Sequence, residues 1–270
     1  MRSRGRLRDI TGSCCRVAAA YALLLLLLLT SPLVSMGAET VLLTTGEWPP
    51  YYSQNLPHGG LGNQIIAESF ALEGIEVVYE YLPWRRALSE ARTGPAVGSA
   101  GWLRLDEREK DFLFSESLFE SQRVFFHRKD RPFDWTVLTD VQDLRVGVAL
   151  GSADEYPLDG IMASGKGTLN VARSYASGMK MLAAGRIDVY ACNLAVGLYE
   201  IKHSLSEKAA RSITYHPRPI FKETNHLVLS LRVKDVQKLM DRFNRGLRRL
   251  KESPRYNEMV EFHLPIARSE

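Results

Sequence analysis

From Val41 onward, short strand-like runs alternate with helix-like stretches, and no other feature restricts the possible folds of this chain so strongly. Alternation of that kind implies an α/β protein with mostly parallel sheets, because a helix is the crossover that lays one parallel strand beside the next. The first strand, Val41–Thr45, runs into the turn Gly46-Glu47-Trp48-Pro49-Pro50-Tyr51-Tyr52. Proline fixes φ and has no N–H, so this turn is stiff and ends the ladder. Its aromatic rings either wall a ligand cleft or cap a core. Leu61, Ile65, Ile66 and Phe70 mark one face of a helix that Gly74 stops. Ile75–Leu82 reads as a strand, Arg85–Arg92 as a helix, Ala96–Gly101 as a strand and Asp106–Lys110 as a charged helical turn. After Arg131-Pro132 a second set begins: strand Leu144–Leu150, helix Asp154–Met162, strand Leu169–Tyr175, helix Ser177–Arg186 capped by Ser177, strand Ile187–Asn193 and helix Leu194–Ser204. Leu227–Leu231 is a further strand. Lys234–Lys251 is the longest amphipathic helix, with Met240, Phe243 and Leu247 among its inward residues. Ligands of open α/β sheets sit beyond the carboxyl ends of the strands. Those ends hold Trp48, Trp102, Gly151-Ser152 and Asn193.

The N-terminus has a different character. Five arginines from Arg2 to Arg16 precede an unbroken apolar run, Val17–Leu29, and small residues follow up to Gly37 and Ala38. Basic, apolar, small is the order of a secretory signal peptide, expected here from Met1 to Ala38. The run is shorter than the roughly 20 residues of a spanning helix; an uncleaved anchor is the alternative. Cys14 and Cys15 would leave with the signal, so Cys192 is the one cysteine of the mature chain and no internal disulfide can form. The chain beyond Ala38 is long enough for one large domain or two lobes.

Charge excludes one class of partner. The whole chain has 35 Lys and Arg against 31 Asp and Glu, but five of the former and one of the latter precede Ala38. The remainder carries 30 of each, which gives no electrostatic footprint for nucleic acid. The basic stretch Arg242–Lys251 falls on the long helix and reads as a solvated face.

Motifs for chemistry are missing. The six histidines are scattered without metal-ligand spacing, and there is neither a nucleophile elbow nor a phosphate-cradling loop. No metal and no other cofactor is expected, and the weight moves to binding. Arg108, in Asp106-Glu107-Arg108-Glu109-Lys110, could grip a carboxylate with two parallel N–H···O bonds. The plainer alternative pairs it with Glu107 or Asp111 on the surface. Gly151-Ser152, between a strand and a helix, is either an anion site or an ordinary helix cap.

Taken in order, several segments resemble the extracellular solute-binding proteins of family 3, the periplasmic proteins that bind polar amino acids. They are Gly46-Glu47-Trp48-Pro49-Pro50-Tyr51, Gly60-Leu61, Leu82-Pro83-Trp84-Arg85-Arg86-Ala87, Glu107-Arg108-Glu109-Lys110 running to Phe114-Ser115, Leu144–Val148 with Gly151-Ser152, Gly185-Arg186-Ile187-Asp188, and Phe243-Asn244. The similarity covers about Val41 to Leu264. It implies a two-lobed α/β fold with a ligand cleft between the lobes and two crossover strands. The first lobe would span 39–122 together with 225–270, and the second 123–224. It also implies a ligand site in which Trp48 and Tyr51 supply aromatic surface, Arg108 holds a carboxylate, Ser152 donates from the second lobe and Trp102 makes the cleft floor apolar. Trp84 and Arg86 match a divergent branch and are expected to pack the first lobe. Two positions depart from the family: Trp102 stands where the amino-acid binders have small hydroxyl residues, and the second departure matters more. The Asp that holds a ligand's ammonium, five positions after the Asp of Gly-Arg-Ile-Asp, is here Asn193. A neutral amide cannot balance a buried ammonium. Either Glu47 or another carboxylate substitutes, or the ligand is not a standard amino acid.

The expected function is capture of a small polar, carboxylate-bearing ligand in the periplasm, by a monomer that serves an ABC-type transporter or a sensor. The alternatives are a ligand-sensing module without a transport partner and a dehydratase-like enzyme on the same scaffold; no catalytic residue is expected.

Overall fold

The computed structural model describes residues 39–152 and 155–264; the expected signal peptide, Met1 to Ala38, lies outside them. Ten strands run β1 Glu39–Thr45, β2 Ile75–Tyr81, β3 Gly98–Trp102, β4 Phe112–Phe114, β5 Phe119–Arg128, β6 Arg145–Ala149, β7 Thr168–Ala172, β8 Val189–Asn193, β9 Ile213–Tyr215 and β10 Phe221–Ser230. The α-helices are α1 Leu61–Ala71, α2 Trp84–Thr93, α3 Asp106–Glu109, α4 Glu155–Met162, α5 Tyr175–Ala183, α6 Leu194–Ser204, α7 Glu207–Arg211, α8 Val236–Glu252 and α9 Pro254–His263.

The strand order is β2-β1-β3-β10-β5-β8-β6-β7, with β4 also on β10 and β9 on β5. β1 is parallel to β2 and β3, and β6 is parallel to β7 and β8. β10 belongs to both sets. Its second half, from His226, pairs with β3 and β4; its first half, Phe221–Asn225, pairs antiparallel with Arg123–Phe119 of β5. A register shift between His226 and Leu227 marks the change of partner.

Both ten-residue strands are longer than their sequences suggest. The apolar pattern marks only Leu227–Leu231 in the β10 region and does not mark β5, which is expected only as one of the two crossover strands the resemblance implies; each carries polar residues in its first half: Glu120, Gln122 and Arg123 in one, Lys222, Glu223 and Asn225 in the other. Here strand pairing overrides the apolar pattern. Two further boundaries differ. β7 stops at Ala172, and the helix after it is capped by Ser174, whose hydroxyl accepts from Ser177 N–H while the Ser177 hydroxyl accepts from Ser174 N–H. Ser177 is thus the third residue of that capping box, not the cap.

The helices bury the apolar faces expected of them. Phe70 of α1 meets Phe243 of α8 with ring centroids 4.8 Å apart, and both are fully buried. Each such ring contributes about 1.5–3 kcal/mol by leaving water. The helices come this close because position 246 is glycine; a Cβ there would stand 2.0 Å from Ser69 O. The basic face of α8 is occupied by carboxylates: Arg242 meets Glu39 at 2.6 Å, Arg245 and Arg249 meet Glu73, and Arg248 meets Glu116.

Candidate ligand-binding site

The turn after β1 is fixed by its own hydrogen bonds and by α1. Trp48 N–H donates to Tyr52 O at 2.7 Å, and the carbonyls of Pro50 and Tyr51 accept from Leu61 and Gly62 N–H at 3.2 and 2.9 Å. The turn thereby satisfies two of the free N–H groups at the start of the helix. Tyr51 lies flat on Phe119, with centroids 4.7 Å apart and planes 5° apart, and Trp48 leans on its other side at 4.8 Å. The Tyr51 hydroxyl donates to Asn193 Oδ1 at 3.4 Å. Burial pushes its pKa far up, so it stays a neutral donor.

Asn193 ends β8 and caps α6: its Oδ1 accepts from Ala195 and Val196 N–H at 3.1 and 3.3 Å. Its Nδ2 donates to Glu223 Oε1 at 3.3 Å, and the Ser121 hydroxyl donates to the same oxygen at 3.2 Å. Glu223 Oε2 meets Arg123 Nε at 3.1 Å, and these two side chains are only 5% and 4% exposed. Tyr51, Asn193, Glu223 and Arg123 therefore form one buried polar chain across the β1 turn, the β8–α6 junction, β10 and β5. Its formal charges cancel, as burial requires. Sequence reading missed Ser121, Arg123 and Glu223; the signal it could have used is a pair of opposite charges at the polar starts of two otherwise apolar strands. Glu47, offered as a replacement carboxylate, instead accepts the Gln54 N–H at 3.2 Å in its own exposed turn.

A second group forms at the end of β3. Trp102 Nε1 donates to Ser99 Oγ at 2.8 Å, and the Arg108 guanidinium lies over the Trp102 ring, 4.9 Å from its centroid. Arg108 Nη1 donates to Leu103 O at 2.8 Å, and no carboxylate of the described residues stands within ion-pair distance of it. Asp111 is taken by Arg92 at 2.7 Å. Partial burial lowers the Arg108 pKa against the pull of Glu107, yet a guanidinium remains a cation. Trp84 links the two groups, edge-on to Tyr52 at 6.0 Å and to Trp102 at 5.4 Å. Gly101 makes room for it: φ is +89°, and a Cβ would stand 2.9 Å from the rings of both Trp84 and Tyr52.

Of the six candidate residues, Trp48, Tyr51 and Asn193 come together around the polar chain, and Trp102 and Arg108 come together at the β3 end. Ser152 stands apart from both. Its N–H closes a turn on Ala149 O at 3.0 Å, and its hydroxyl is buried with no partner among the described residues. Beside Tyr51 opens a cavity of about 410 Å³, which the other five candidates do not line.

A family model of bacterial extracellular solute-binding proteins, family 3, matches residues 41–265. No curated protein sequence matches the chain. Among solved structures it is similar to a histidine kinase sensor domain that itself resembles periplasmic binding proteins, at 20% identity over 83% of this chain and 96% of that one, with a TM-score of 0.67. It is similar to an ancestral arginine-binding protein bound to arginine, at 20% identity, 83% and 97% coverage and a TM-score of 0.67. It is also similar to an ancestral amino acid-binding protein, a precursor of cyclohexadienyl dehydratase, at 18% identity, 83% and 95% coverage and a TM-score of 0.66. At such identities the likeness shows the fold, which is the two-lobed α/β architecture of periplasmic binding proteins.

Proposed function

This chain belongs to the bacterial extracellular solute-binding proteins, family 3, and from that membership we propose that it captures a small carboxylate-bearing ligand in the periplasm for an ABC-type transporter or a sensor. The observation that carries the reading is Arg108. It is a partly buried guanidinium stacked on Trp102, with a backbone carbonyl as its hydrogen-bond partner and no carboxylate within ion-pair distance among the described residues. Donors left over on such a group match a ligand carboxylate. One lobe would be 39–122 with 225–270 and the other 123–224, and the segment ending at Ala38 would be removed on export.

The ligand's other charge follows from Asn193. Its amide is neutral, and the carboxylate it touches among the described residues, Glu223, is paired with Arg123. A ligand ammonium there would gain no excess negative charge, so an organic acid fits better than an α-amino acid. Likeness to a histidine kinase sensor domain favours a second reading, a sensing module without a transport partner.

A thermal-shift screen of organic acids, amino acids and amines tests the binding reading, since a ligand at 100 times its Kd adds about 2.7 kcal/mol of stability. Calorimetry on Arg108→Ala tests the site: binding of the acid found in the screen should weaken about a hundredfold or more. Unchanged affinity would make Arg108 a bystander. N-terminal sequencing of the exported protein should begin near Ala38 or Glu39; an intact Met1 would exclude cleavage.

A further inference from the structure

The cavity of about 410 Å³ beside Tyr51 shares Tyr51 and Ser121 with the polar chain just described, but not Arg108. Its size falls within the roughly 300–1,000 Å³ of small-molecule pockets. Pro50 and Leu56 from the β1 turn, Leu194 and Leu198 from α6, and Phe262 and Leu264 from the end of the described chain make its walls apolar. Phe262 is 60% exposed there, although His58 and His263 stand edge-on to its ring at 6.4 and 4.9 Å. The polar groups of the lining are mostly committed. Glu120 is paired with Lys222 at 3.0 Å, the Ser121 hydroxyl serves Glu223, His203 Nδ1 faces Tyr199 O at 2.8 Å, and His263 Nε2 faces Gln64 Oε1 at 2.8 Å. Lys202 also lines the cavity, and no carboxylate of the described residues stands within ion-pair distance of it.

An apolar chamber with a cation at its edge that no described carboxylate opposes selects an amphiphilic anion. We propose that this cavity is a second ligand site, which takes a monocarboxylate with an aromatic body, the ring against Leu194, Leu198 and Phe262 and the carboxylate toward Lys202. The inference is independent of what Arg108 binds. Tyr51 is shared by both sites: its ring lines the cavity and its hydroxyl reaches Asn193.

Calorimetry on the mature chain with 3-phenylpropionate and indole-3-acetate as probes, and phenethylamine and 3-phenylpropionamide as controls, tests it. The acids should bind, while the amine and the amide bind at least tenfold more weakly. Lys202→Glu, an exposed substitution that leaves the fold alone, should weaken the acids at least tenfold. Leu198→Trp should fill the chamber and abolish binding; if that variant does not fold, Lys202→Glu carries the test. Arg108→Ala should leave these acids bound. Failure of both acids to bind, equal binding of the amide, or affinity unchanged in Lys202→Glu would overturn the proposal. Acid binding lost in Arg108→Ala but kept in Lys202→Glu would assign the acids to the Arg108 site and leave that reading standing alone.

Discussion

Arg123 and Glu223 put two charges in the interior, and their mutual attraction offsets the desolvation of both only while both are present. Glu223→Gln removes the carboxylate that meets Arg123 at 3.1 Å and should cost about 3 kcal/mol or more in urea denaturation. Replacing the pair together, Arg123→Met with Glu223→Leu, should recover most of that loss; equal losses in the single and double variants would refute the pairing. Asn193→Asp tests the neighbouring link. The new carboxylate can still cap α6, but it faces Glu223 Oε1, to which the amide now donates at 3.3 Å. Repulsion from Glu223 would raise the pKa of the introduced carboxylate above its unfolded value. A raised carboxylate pKa contributes stability that is present at low pH and lost as pH rises through it. The variant should therefore lose more stability, relative to the parent, at pH 7 than at pH 5. A ligand ammonium would relieve the repulsion, so α-amino acids should stabilise the variant more than the parent in thermal shift. Trp48, Trp102 and Asn193 stand out in the sequence because they follow or end strands, where an α/β sheet offers its side chains, and Arg108, on α3, because its guanidinium suits a carboxylate. Arg123 and Glu223 do not, since nothing in one sequence tells which polar starts of two distant strands will pair.

At the level of elements, the apolar period gave α1, α6 and α8 nearly as found, and Gly74, with φ +73°, ends the first of them. β5 and the first half of β10 escaped because their residues answer to each other and not to a local pattern. α9 escaped too; Pro254 opens it, yet Met259 is its one buried residue, so its apolar stripe is short. How α9 docks can be tested by pH. His263 Nε2 faces Gln64 Oε1 of α1 at 2.8 Å, an acceptor, so the histidine donates there. Burial, with His58 nearby, lowers the His263 pKa to about 4. A histidine whose folded pKa lies below its unfolded value contributes stability that is complete above about pH 6.5 and lost as pH falls toward 4. His226 is shifted in the same direction by its own burial. The denaturation midpoint of the parent should thus fall between pH 7 and pH 4, and that of His263→Gln should fall less; parallel profiles would show that His263 does not titrate with docking. Gly246→Ala probes the α1–α8 contact. The added Cβ would meet Ser69 O at 2.0 Å, a backbone atom that cannot turn aside, and the helices must part at about 1–3 kcal/mol.

Over the whole molecule, the informative arrangement is the side-chain hydrogen bond that joins the turn after β1 to the β8–α6 junction among the described residues. It runs from Tyr51 OH to Asn193 Oδ1, and at 3.4 Å it is long. The Arg123–Glu223 pair lies instead on β5 and β10, the two strands that pair where the sheet changes from one set to the other. A hinge placed there keeps its charged core intact in any position, while the Tyr51 bond can open at small cost because water replaces it. The proposed lobes would then rotate about β5 and β10, with ligand favouring the closed arrangement by whatever it binds more tightly there. Tyr51→Phe removes the bond without disturbing the ring stack on Phe119. It should leave unfolding free energy within about 1.5 kcal/mol of the parent and enlarge the radius of gyration of the ligand-free protein in solution scattering. Saturating ligand should reduce the radius of gyration in both proteins. Scattering that stays constant on addition of a ligand already shown to bind by calorimetry would exclude closure, and the cleft would have to be a rigid one.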